Sequence, residues 1–501
     1  MRRSGILLPV SSLPSRFGIG GMGQAARSFA DRLSAAGQSL WQVLPLTVPD
    51  FVHSPYASPS AFAGSPDLID PAELVTDGWL RADELEEQAF KPAPVTDYAR
   101  GGRVKDALLR RAHARFCADG SPAVRRDFAA FCHDASFWLE DYALFSAIRG
   151  RFGGAPVWKW PEDLQSRGGD AVRALGEKLS EEVQYRQFLQ FVFQRQLMSL
   201  RAYLSDRGIS LLGDIPFYVA GDSADVWAHP ELFSHTEVAG VPPDFFSADG
   251  QLWGNPIYDW ERMEADGYDW WIHRLARCAE MYDETRLDHF RALDSYYAIP
   301  KGAADARTGT WRRGPGRPFF DLLSVRLPRL SLVAEDLGDI TPGVTALREY
   351  AELPGMRVLQ FAFDGDAGNP FLPHNYDRRS IAYLGTHDND TSAGFWEKAD
   401  DGTKKQASSY LGIAPRASAA SAVRAMMRAV SASAADTVVF TLQDVLCEDS
   451  SRRINTPSKV GGCFAYGLTR MPTAEDFAFL SEITSLYGRQ KSHTTREESY
   501  G

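Results

Sequence analysis

Residues 209–219 read Ile-Ser-Leu-Leu-Gly-Asp-Ile-Pro-Phe-Tyr-Val. A short apolar run bounded by turn formers predicts a buried strand. This one ends on a carboxylate, Asp214, which is costly to bury unless it is paired or used. Three other stretches share the plan. They are Arg286-Leu287-Asp288-His289-Phe290-Arg291, Ala334-Glu335-Asp336-Leu337-Gly338 and Gly385-Thr386-His387-Asp388-Asn389-Asp390-Thr391. Working outward, the same criteria predict eight strands, at 5–10, 40–46, 209–219, 285–290, 331–337, 358–363, 380–388 and 437–445. Helical patterns at 25–36, 340–353 and 415–433 fall between them. Eight strands alternating with helices predict an α/β fold, a (β/α)8 TIM barrel.

The spacing is uneven. About 160 residues separate the second and third strands, too many for one loop. The pattern there is helical. Phe131, Trp138, Tyr142, Phe145 and Ile148 recur at helical intervals over 128–149, and Phe188, Phe191, Leu197, Leu200 and Leu204 over 183–204. Such stripes are core. The reading is one barrel over 1–501, a largely helical insertion at 47–208 after the second strand, and a loop-rich insertion at 220–282 after the third. Residues 90–103 read as an exposed connection, and the polar tail from Gln490 as frayed. No repeat of 20–50 residues is present.

The chain has 501 residues, with 54 Lys and Arg against 65 Asp and Glu, a net charge of −11. That argues against general nucleic-acid or anionic-membrane binding, which favours basic surfaces. Aromatics form 12% of the chain. Most are expected in the core, and the remainder can serve as flat platforms for ring-shaped ligands. Five cysteines at wide spacing, with no CxxC, exclude a disulfide framework and a zinc site and fit a reducing cytoplasm. The apolar run at 5–10 is too short for a signal core, and 33–49 contains Gln38, Gln42 and Pro45, so no membrane span is expected.

In a barrel of this kind the C-terminal ends of the strands surround one mouth. Asp214, Asp288, Glu335 and Asp388 are therefore expected to converge. Converging carboxylates suit glycosidic chemistry, in which one attacks the anomeric carbon and another protonates the leaving oxygen. Arg286, two residues before Asp288, would keep that aspartate ionised. Glu335 would need a raised pKa to act as an acid. Each motif alone has a plainer reading: an RxD salt bridge, a solvated AED turn, a divalent metal loop at His387–Asp390. The joint pattern carries the weight.

The motifs resemble those of the amylomaltases, the 4-α-glucanotransferases of glycoside hydrolase family 77 in the α-amylase clan. The likeness runs over nearly the whole chain. It includes Ser11-Ser12-Leu13-Pro14, Trp41-Gln42-Val43-Leu44-Pro45-Leu46, Ser54-Pro55-Tyr56, Ser60-Ala61-Phe62-Ala63-Gly64, Pro242-Pro243-Asp244 and Gly250-Gln251-Leu252-Trp253-Gly254-Asn255-Pro256, besides the strand-end clusters. The resemblance implies that Asp288 is the nucleophile, Glu335 the general acid/base and Asp388 the transition-state stabiliser. It also implies that Arg286, His289 and His387 surround the sugar and that Asp214 supports the same site. Tyr56, Asp244, Trp253 and Asn455 match substrate-contacting positions, and the loop around 244–253 resembles a flexible cover on the acceptor side.

Three departures stand out. Ser458-Lys459 follows Arg453-Ile454-Asn455-Thr456-Pro457 where the family usually has Gly. Gly462-Cys463-Phe464-Ala465-Tyr466 replaces an Asn-Trp-x-Trp-Arg stretch, and His53 precedes Ser54. They bear on acceptor preference rather than on the three carboxylates.

The activity implied is transfer of an α-1,4-glucan segment from a maltooligosaccharide, amylose or glycogen-derived donor to the 4-hydroxyl of glucose or another glucan. The route implied is a retaining double displacement. No metal or organic cofactor, nucleic-acid partner or membrane partner is expected, and a cytoplasmic monomer is the default. Two alternatives stay open: an α-1,4-glucan hydrolase of the same clan, and an inactive glucan-binding barrel.

Overall fold

The computed structural model describes residues 2–243, 248–457, 459 and 461–490. Eight parallel strands form the barrel: Arg3–Leu7, Leu40–Gln42, Ser210–Ile215, Glu284–Leu287, Leu332–Ala334, Gly355–Val358, Ser380–Tyr383 and Thr437–Thr441. The eighth pairs back onto the first, with Arg3 opposite Thr437. The fifth and sixth close the ring through sparser links. The Ala334 N–H donates to the Pro354 carbonyl at 3.0 Å. The Met356 N–H donates to the Asp336 carboxylate at 2.6 Å.

The interior is packed like that of a barrel that is not a pore. Trp41 and Tyr383 are fully buried. The Trp41 indole donates to the Leu8 carbonyl at 2.9 Å, and the Tyr383 hydroxyl to Gln42 at 3.0 Å. Buried aromatics that keep such a polar partner contribute several kcal/mol each, since truncating one to Ala costs about 3–5 kcal/mol. Gly213, just before Asp214, is required by close approach. A Cβ there would stand 2.2 Å from the Tyr282 ring.

All eight predicted strands are present, and one is displaced. The sixth occupies Gly355–Val358, whereas 358–363 was expected; Leu359–Phe361 curls into a 3-10 turn. A charged residue hid the strand. Arg357 interrupts its apolar character, and the guanidinium is offset by Asp377 at 3.1 Å and Asp336 at 3.5 Å.

Seven helices lie between the second and third strands, from Glu73–Thr76 to the 27-residue Ser180–Asp206. The helix expected over 128–149 is two, Pro122–Asp134 and Ser136–Arg151, divided at Ala135. The stretch 220–282, expected to be loop-rich, is more ordered than its Pro and Gly content implied. It holds a hairpin, Phe233–Val241 with Gln251–Tyr258, and the helix Asp269–Met281. That hairpin joins Ser295–Pro300 and Thr310–Arg313 in a four-stranded antiparallel sheet. Two of its strands thus come from beyond the fourth barrel strand, a long-range pairing that no local pattern shows.

All five cysteines are unpaired thiols. Among the described residues, no helix is long and apolar enough to cross a membrane.

Candidate active site

The barrel register positions the carboxylates. Asp214 lies opposite Arg286 and Leu287 opposite Ala334. The hydrogen-bond ladder then continues past the strand ends. The Asp288 N–H donates to the Ile215 carbonyl at 3.0 Å, and the Glu335 N–H to the Leu287 carbonyl at 3.1 Å. The two acids are thereby set side by side at one mouth.

Arg286 is the hinge of the site. Its Nη1 donates to both oxygens of Asp214, at 2.9 and 2.7 Å, and its Nη2 donates to Asp288 Oδ1 at 2.7 Å. Asp214 is fully buried, while the Asp288 side chain is 31% exposed and faces the open mouth. Burial raises the Asp214 pKa to about 6 against the pull of Arg286. Its carboxylate therefore remains mostly ionised at neutral pH and holds the guanidinium in place.

Glu335 occupies a different environment. Burial, and next the negative charge of Asp288, push its pKa up to about 8. Its two oxygens accept the His289 N–H at 2.9 Å and the Leu337 N–H at 3.1 Å. The first of these depends on backbone strain. His289 adopts φ +52°, the left-handed region, a conformation that costs on the order of 1–3 kcal/mol for a non-glycine residue. Burial lowers the His289 pKa to about 4, so its imidazole is neutral.

Asp388 is held as an anion. Burial opposes this, but the His387 charge and hydrogen bond, the Asn455 amide and Arg286 together bring its pKa well below the usual carboxylate range. His387 Nε2 lies 3.2 Å from Oδ2, and Asn455 donates to Oδ1 at 2.6 Å. Tyr56 completes the network. Its hydroxyl donates to Asp214 at 2.8 Å and sits 2.8 Å from His387 Nε2, while its ring stacks on His387 at 5.3 Å. Trp253 is 39% exposed and stands edge-on to the His289 ring at 4.9 Å.

Tyr56, Asp214, Trp253, Arg286, Asp288, His289, Glu335, His387, Asp388 and Asn455 thus meet in one place. Asp244 lies outside the described residues. Sequence reasoning passed over three supports. Arg453 donates to the Asp388 carbonyl at 2.9 Å, although it sits only two residues from Asn455. Tyr218 packs against both Trp253 and His289, at 6.3 and 6.1 Å. Phe464, in the divergent stretch, approaches Tyr56 at 5.9 Å, so that stretch still supplies an aromatic wall.

The arrangement offers one carboxyl, Glu335, whose pKa is raised to about 8, three aspartates around it, and aromatic surfaces beside them. Residues 8–468 match the model of the 4-alpha-glucanotransferase family, glycoside hydrolase family 77. A 4-alpha-glucanotransferase of Synechocystis is 43% identical over 504 residues, covering 98% of this chain and 99% of that protein. One from Thermus thermophilus is 43% identical over 478 residues, covering 93% and 95%. The amylomaltase of Streptococcus agalactiae, solved in complex with acarbose, superposes with a TM-score of 0.93 at 35% identity, over 98% of this chain and 100% of that one. This chain belongs to glycoside hydrolase family 77, the 4-alpha-glucanotransferases.

Proposed function

We propose that the enzyme cleaves an α-1,4 bond in a maltooligosaccharide or starch-like glucan and moves the non-reducing segment to the 4-hydroxyl of glucose or another glucan, with retention of configuration. Asp288, oriented by Arg286, attacks the anomeric carbon as Glu335 gives its proton to the leaving 4-oxygen. The resulting glycosyl ester on Asp288 is then attacked by the acceptor 4-hydroxyl, whose proton passes to Glu335. Asp388 stays anionic to balance the positive charge that develops on the sugar and to accept its hydroxyls. Tyr56 and Trp253 supply apolar ring faces for the C–H faces of glucose.

One observation carries this reading: three acids meet at one mouth in unlike surroundings, Asp288 on the Arg286 guanidinium, Glu335 buried on two backbone N–H groups and Asp388 between His387 and Asn455, so that burial pushes Glu335 up to about 8 while its partners hold Asp388 well below its ordinary value. Such a split is how a single site assigns an acid and an anion. The five unpaired thiols support a reducing, cytoplasmic setting.

Incubation of the purified protein with maltotriose tests the assignment. A ladder of longer maltodextrins together with glucose is expected. Glucose and maltose alone, with no longer product, would instead assign the site to hydrolysis. No turnover at all would leave a glucan-binding barrel.

A further inference from the structure

Arg291 closes the Arg-Leu-Asp-His-Phe-Arg motif, and the reaction above gives it no task. Its side chain is 7% exposed, and its Nη1 donates to the Asp339 backbone carbonyl at 2.6 Å. The guanidinium carbon lies 4.2 Å from the Trp311 ring centroid, over the indole face. Trp311 belongs to the edge strand Thr310–Arg313 of the small sheet and meets Tyr297 edge-on at 5.3 Å. The end of the strand is tied to the segment that follows Arg291, since the Gly314 N–H donates to the Asp294 carbonyl at 2.8 Å. Trp311 nevertheless remains 42% exposed. The Arg291 guanidinium thus covers one face of an indole that otherwise keeps a large solvent-exposed surface. Next to it stands the Asp339 carboxylate, 79% exposed and only 3.4 Å from Arg291 at its nearest oxygen.

We infer that the open face of Trp311 and the Asp339 carboxylate form a remote glucan subsite on the acceptor side. An indole face covers the apolar C–H surface of a sugar ring, and a carboxylate accepts its hydroxyls. The backing guanidinium holds both in one geometry, so little ordering is left for binding to impose. The place follows from connectivity. Asp339 comes four residues after Glu335, a chain span of at most about 14 Å. Glu335 faces the leaving and incoming 4-oxygens, so the wall that continues from it borders the acceptor path a few sugar rings out. The subsite therefore takes acceptors, and leaving segments, long enough to reach it. Glucose alone is too short.

The inference rests on the proposed transfer reaction, and its test separates the two. Acceptor KM is measured for glucose and for maltohexaose with one common donor. In the unaltered enzyme maltohexaose is expected to have the lower KM. Trp311→Ala is expected to raise the ratio of the maltohexaose KM to the glucose KM about ten-fold, the worth of one good stacking contact. Trp311→Phe, which keeps a ring face and the packing on Arg291, recovers most of that loss. Asp339→Asn moves the ratio in the same direction. Trp158, another exposed tryptophan distant from these groups in sequence, serves as the control, and Trp158→Ala leaves the ratio unchanged. An unchanged ratio in Trp311→Ala, or an equal loss with both acceptors, would reduce Trp311 to packing and overturn the subsite. If the unaltered enzyme transferred to no acceptor, the reaction itself would be refuted instead.

Discussion

Replacing Arg286 with Gln removes the centre of the charge network, and its effects on stability and on rate separate cleanly. Asp214 is 0% exposed and receives two hydrogen bonds from Arg286. Removing one partner of a buried pair strands the other, at a cost of about 3–5 kcal/mol. Urea denaturation of Arg286→Gln should therefore show a loss of that size, read as a lower midpoint at unchanged slope. The rate should fall for a second reason. Asp288 loses the Nη2 donor at 2.7 Å. A hydrogen bond to a charged group is worth about 1.5–3 kcal/mol, which translates to roughly 10- to 150-fold in kcat/KM. The double variant Asp214→Asn, Arg286→Gln has no stranded charge, so it should regain most of the stability while its rate stays low, because Asp288 is still unsupported. Stability by denaturation and transfer from maltotriose, measured on all three proteins, decide the matter. A stability loss below about 1 kcal/mol in the single variant, or recovery of rate with stability in the double, would refute the assigned role of Arg286.

Asp288→Ala should abolish turnover while maltodextrin binding persists, as followed by tryptophan fluorescence; full activity in this variant would remove Asp288 from its place. The alkaline limb of kcat/KM should fall near pH 8, because the reacting form of Glu335 is the protonated one and its pKa is raised to about 8. A flat profile through pH 9 would count against that proton. Glu335→Gln should lose transfer from maltotriose by more than about 10²-fold, yet still form the glycosyl ester from a glucosyl fluoride donor, whose leaving group needs no acid. Tyr56→Phe keeps the stack on His387 but not the hydroxyl bonds to Asp214 and His387, so its stability should drop by about 1 kcal/mol with a modest rate loss.

The barrel was legible because each strand shows as an apolar run and four of them also end on a carboxylate or polar cluster. Where a strand breaks the apolar rule, as Arg357 does, the boundary moved. The guanidinium is neutralised by Asp336 and Asp377, which are distant in sequence, so the compensation is invisible locally. The small sheet was missed for a related reason. Its strands come from both sides of the fourth barrel strand, and pairing at that separation leaves no local periodicity. The candidate acids were legible as residues because their types and order resemble those of the glucanotransferases. Their protonation states were less so. That Arg286 bonds both oxygens of Asp214 through Nη1 and Asp288 through Nη2, and that His289 is turned to φ +52° with its N–H on Glu335, depends on strand register and close packing.

In the proposed double displacement, the same geometry would let one glutamate act first as acid and then as base without moving. After burial, the largest influence that raises Glu335 is the charge of Asp288. The groups that act in the other direction are Arg286 and the N–H groups of His289 and Leu337. In the proposed glycosyl ester the charge of Asp288 would be gone, while Arg286 and the two N–H donors would remain, and Arg286 would have one fewer anion to serve. Each of these changes stabilises the carboxylate form. On that route the Glu335 pKa would fall when a base is needed for the acceptor hydroxyl and rise again when the sugar leaves Asp288. Such a switch would be driven by the reaction itself. It also fixes what the fold must supply: a glutamate whose backbone donors do not depend on the substrate. The ladder from Leu287 and the strained turn at His289 provide that.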